Sequence, residues 1–96
     1  MFSRVFKRNL FVVALEYTKP LAVVDAHLEK HRQFLEKQYE AGHFVASGRK
    51  TPRTGGVILA SVGSKEKLQK ILDEDPFKQH DIANYEITEF TPTMHN

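Results

Sequence analysis

The chain has no cysteine among its 96 residues. That removes disulfide staples, thiol nucleophiles, zinc ribbons and iron–sulfur clusters together, and leaves chemistry to His, Asp, Glu, Lys, Arg, Ser, Thr or Tyr. Long apolar runs are also missing: the longest, Leu10 to Leu15, is far short of the roughly 20 residues a membrane-spanning helix needs. No membrane partner is expected. Glycine and proline are sparse, at five and four, while 41% of residues are hydrophobic and 27% charged. This is the composition of an ordinary globular protein and excludes disordered, collagenous and solenoid chains. The length supports one core, burying roughly 60–65% of the unfolded surface.

Acids are absent from the first nine residues, which hold Arg4, Lys7 and Arg8. The other eleven cations are outnumbered by twelve acids, so the excess positive charge sits at the N-terminus. A nucleic-acid binder needs a basic stripe, and the body offers only Arg49, Lys50 and Arg53; no nucleic-acid partner is expected. Residues 1–9 read as a loosely held basic extension, without the apolar stretch and cleavage site of a secretory signal. Residues 10–96 read as the single domain.

Leu10 to Tyr17 is nearly uninterrupted by polar residues, as expected for a central strand apolar on both faces. From about Val23, apolar residues recur at Val24, Leu28, Leu35 and Tyr39, which predicts one long helix with Gly42 as its left-handed C′ residue. His43 to Gly48 and Val57 to Val62 read as strands joined by a hairpin loop over Arg49 to Thr54. Ser64 offers an N-cap for a shorter helix through Leu68, Ile71 and Leu72, which Asp75-Pro76 terminates. Tyr85 to Thr91 alternates as a last strand. The order β-α-β-β-α-β predicts a ferredoxin-like α+β fold, with two helices on one face of a four-stranded antiparallel sheet. The other face then needs a cover, and a homodimer packed sheet on sheet supplies one.

One residue breaks the inward stripe of the long helix. Between Leu28 and Leu35 the expected apolar position is 31, and it is His31. An imidazole on a core-facing stripe costs desolvation unless it is hydrogen-bonded. It is either a satisfied core residue or a group able to exchange a proton near neutral pH at the mouth of a cleft. His27, one turn earlier, gives the i, i+4 spacing of zinc helices, but Leu28 stands where that motif has its glutamate and no distal ligand motif follows; no metal is expected. The acidic run Asp73-Glu74-Asp75 is either a solvated helix end or the source of a carboxylate that orients His31. Ser47 lacks the glycines of a nucleophile elbow, since Val45 and Arg49 flank it. Gly55-Gly56 lacks the spacing and lysine of a phosphate loop.

The interval from His31 to Glu40-Ala41-Gly42, the Ser47-Gly48 pair, Gly55-Gly56, Asp75-Pro76-Phe77 and the closing Tyr85-Glu86-Ile87 occur in an order that resembles the YciI-like (YCII-related) proteins. The resemblance spans Leu10 to Pro92. It implies cytoplasmic homodimers of ferredoxin-like fold with a dimeric α/β-barrel-like assembly, and an active-site pair formed by His31 and Asp75. One relative in that family is a dehydrochlorinase acting on a chlorinated hydroxyquinol. The family usually continues Ser47-Gly48 with proline; Arg49 here alters the pocket rim and suits an anion, so Ser47 and Arg49 are candidate substrate-binding residues. The expectation is a cofactor-free lyase or hydrolase acting on a small aromatic or anionic substrate. Two rivals share the fold: a ligand-binding module without chemistry, and a cofactor-free monooxygenase.

Overall fold

A computed structural model describes residues 8–96; most of the expected N-terminal extension, residues 1–7, lies outside them. The elements are β1 (Leu10–Tyr17), α1 (Leu21–Ala26), α2 (Leu28–Glu40), β2 (Phe44–Arg49), β3 (Gly55–Ala60), α3 (Lys65–Leu72), α4 (Pro76–Gln79) and β4 (Ala83–Phe90). The four strands form one antiparallel sheet in the order β2-β3-β1-β4, the ferredoxin-like α+β arrangement.

Alternation along the strands divides the sheet into two faces. Phe11, Val13 and Leu15 of β1 join Ile58 and Ala60 of β3 in one buried core with Val24, Phe34, Leu68, Leu72 and Phe77 from the helices. The opposite face presents Val12 and Ala14, paired with Leu59 and Val57 of β3, and Val57 is exposed. The apolar character of β1 on both sides therefore meets helices on one side only. Gly55 is required where β3 starts: a Cβ there would stand 1.8 Å from the Leu15 carbonyl oxygen.

Two features depart from the sequence expectation and place the site. The long first helix is broken at His27, whose φ and ψ of −110° and 2° lie off the helical values. The rotation turns His31, Phe34 and Gln38 inward and leaves Leu28 and Tyr39, expected in the core, at 41% and 39% exposure. The second feature is a register shift between Phe44 and Ala46, where β2 spends two steps against one of β3. Because side chains alternate, that extra residue reverses the facing of everything after it. Ser47 and Arg49 thus pair with Ile58 and Gly56 and lie on the helix side of the sheet.

Candidate active site

Asp75-Pro76 ends α3 and also begins α4. The Asp75 side chain accepts the Phe77 backbone N–H at 3.0 Å as N-cap, with Pro76 opening the helix, the position where a missing N–H costs nothing. This one-turn helix, read in the sequence only as a stop, buries Asp75 completely. The other two acids of the run stay at the surface, Asp73 with Lys78 and Glu74 with Lys37.

The capping oxygen of Asp75 has a second partner. His31 Nδ1 lies 2.8 Å from Oδ1, and the Tyr85 hydroxyl donates to Oδ2 at 2.5 Å. The carboxylate, which only accepts when ionised, is thus within reach of three donors, and opposite it the tautomer that fits carries its hydrogen on Nδ1. The His31 side chain is 11% exposed and its ring stacks on Phe77, with centroids 3.9 Å apart and planes 1° from parallel. Phe77 is itself held edge-on by Tyr17 at 6.0 Å. Burial and the Asp75 charge push the Tyr85 hydroxyl well above its ordinary range, so it stays a donor. Neither Phe77 nor Tyr85 is given a chemical role by the sequence; the signals were their places in the Asp75-Pro76-Phe77 and Tyr85-Glu86-Ile87 motifs and the inward phase of Tyr85 on the last strand.

His31 borders a cavity of about 230 Å³ between α2 and the β1–β3–β2 part of the sheet, with Leu15, Leu28 and Leu35 among its apolar walls. Asp75 stands behind the ring and does not line it. The polar lining comes from His31, Tyr17, Ser47 and Arg49, with no carboxylate. Ser47 Oγ lies 2.6 Å from the Tyr39 hydroxyl. Arg49 is exposed and, among the described residues, its guanidinium makes no hydrogen bond or ion pair, whereas Arg53 and Lys50 nearby are matched to Asp25 and Glu16. All four sequence-nominated residues therefore meet: His31, Ser47 and Arg49 around one cavity and Asp75 in contact with His31.

The remaining histidines lie elsewhere. The His27 ring leans on His80 with centroids 4.5 Å apart, and His43 bonds Gln38 at 2.7 Å. Burial and the charges of Lys67 and Arg8 lower the His43 pKa. Among the described residues no three His, Asp or Glu side chains gather as a metal site, and no helix is long and apolar enough to cross a membrane.

A family model described as the YCII-related domain matches residues 10–91. No curated protein matches the chain. Among solved structures, the fold is similar to 5-chloro-2-hydroxyhydroquinone dehydrochlorinase from Burkholderia phenoliruptrix AC1100 in complex with 2,5-dihydroxybenzoquinone, with a TM-score of 0.75 over 85% of this chain and 93% of that one. The two sequences are 15% identical, so the likeness is one of fold.

Proposed function

Since the chain belongs to the YCII-related domain family, we propose that it is a small cytoplasmic, cofactor-free enzyme of lyase or hydrolase type whose acid–base group is His31. One observation carries this reading: Nδ1 is committed to a buried carboxylate while the ring borders an open cavity. Nε2 has no partner within the described residues and is not sealed from solvent, so it offers a lone pair to whatever occupies the cavity. A substrate hydroxyl or C–H gives its proton to Nε2, the electron pair left behind expels a leaving group such as chloride, and the imidazolium returns the proton to water. Asp75 fixes the tautomer and stabilises the imidazolium. Ser47 and Arg49 hold the substrate, and the apolar walls suit a flat ring. The fold-level neighbour carries out a dehydrochlorination, a reaction of this kind.

The open sheet face supports a homodimer. Val12, Ala14, Val57 and Leu59 form an apolar patch rimmed by the Lys50–Glu16 pair, a surface that a second copy covers most simply.

Turnover of a panel of chlorinated hydroxyquinols, halogenated phenols and lactones tests the chemistry. His31→Gln is expected to lower kcat by roughly 10²–10⁴-fold. Full activity in His31→Leu overturns the acid–base role, binding without turnover favours the ligand-binding module, and oxygen consumption favours the monooxygenase.

A further inference from the structure

The Tyr85 hydroxyl has a role that neither packing nor the His31–Asp75 pair explains. We infer that Tyr85 is a positioning residue that sets the proton affinity of His31 through Asp75, an inference that rests on the acid–base reading of His31. The three donors are divided between the carboxylate oxygens: Oδ1 takes His31 Nδ1 at 2.8 Å and the Phe77 N–H at 3.0 Å, while Oδ2, among the described residues, takes Tyr85 alone. A hydrogen bond to the charged form stabilises it and draws charge from the other oxygen. With Tyr85 in place, Asp75 pulls less strongly on the imidazolium, and His31 is a weaker base than a bare His–Asp pair makes it. The hydroxyl is held protonated by its burial and by the Asp75 charge, so the device operates across the whole neutral range. Asp75 is fully buried, so water does not substitute for the lost donor.

The other groups facing His31 are few. Tyr17 of β1 and Arg49 of β2 line the same cavity, β3 adds only Gly56, Val57 and Ile58, and α3 adds none. On its own helix the titratable neighbour one turn back is His27, whose ring lies on His80. On α4 the charged group is Lys78, paired with Asp73 and 5.9 Å from the centroid of the Tyr85 ring, a ring that Tyr85→Phe keeps, so a difference between wild type and variant reports the Tyr85–Asp75 bond.

The test is an NMR titration of the His31 ring protons in the intact, ligand-free protein. Tyr85→Phe is expected to raise the His31 pKa by roughly half a unit to one unit, because Asp75 regains its full pull, and Asp75→Asn to lower it. In the double variant Tyr85→Phe adds nothing to Asp75→Asn, since the carboxylate it acts through is gone. A His31 pKa unmoved by Tyr85→Phe, or equally moved in the Asp75→Asn background, overturns the inference. Where Tyr85→Phe does not fold, the wild type decides: the Tyr85 hydroxyl and His31 Nδ1 protons are expected as slowly exchanging low-field resonances, and the absence of both is fatal. The readout needs no substrate, so failed turnover assays leave it standing and its own failure leaves the catalytic reading to be judged by turnover.

Discussion

With its Nδ1 hydrogen committed to Asp75, His31 and its partner respond differently to removal. His31→Leu fills the same volume on the buried face and leaves Asp75 with two donors, so stability is expected to change by no more than about 1 kcal/mol in urea denaturation. Asp75→Ala removes a helix cap and strands the Tyr85 hydroxyl and an imidazole N–H, at an expected cost of about 2–4 kcal/mol. Tyr85 adds a pH dependence. Its folded pKa is raised by burial and by Asp75, so the folded state keeps a proton that the unfolded chain releases near pH ~10. That stability is complete below this value and falls as the pH climbs past it; thermal melts from pH 8 to 11 are expected to decline less steeply for Tyr85→Phe. His31 was legible because it interrupts an apolar stripe. An orienting carboxylate from the acidic run was one of two readings of the residues, but which of the three acids supplies it was not legible from spacing, since the partner lies 44 residues away; Asp75 was singled out through resemblance to a family. Tyr85 stayed hidden because a strand tyrosine on an inward phase reads as core.

The long first helix shows how a stripe can be nearly right and still out of phase. Counting apolar residues selects Leu28 and Tyr39, but the break at His27 centres the inner face on His31, Phe34 and Gln38. Gln38 is 3% exposed because its side chain answers His43 and its carbonyl accepts the His43 N–H; hydropathy counts against such a residue. Phe34→Ala is therefore expected to cost about 3–5 kcal/mol, whereas Leu28→Ala is expected to cost under about 1 kcal/mol while weakening ligand binding in the cavity it lines. Comparable losses from both would restore the stripe as first counted. The bulge in β2 was equally illegible: nothing in Val45-Ala46 announces an extra residue, yet it sends Ser47 and Arg49 to the cavity side. The strands themselves were legible, with β1 found over Leu10–Tyr17 as expected.

For the molecule as a whole, the sheet has one face under four helices and one open. A dimer of about 22 kDa, twice the 11.0 kDa chain, is expected by light scattering at micromolar concentration. Leu59→Lys, placing a charge at the centre of the open face opposite Val12, is expected to yield a folded monomer with an unchanged far-UV spectrum. A wild-type protein that stays monomeric with a sharp thermal transition contradicts the sheet-on-sheet pairing.

Asp75 belongs to two systems at once, capping α4 through the Phe77 N–H while steering an imidazole from another helix. On the acid–base reading proposed for His31, evolution can therefore discard the chemistry more easily than the carboxylate. In lineages of this fold that have lost activity, an acceptor is expected to persist at position 75 for the sake of the cap, while position 31 drifts to leucine or methionine. On that reading residue 31 is the position that separates working copies from retired ones, and an acid at 75 by itself does not.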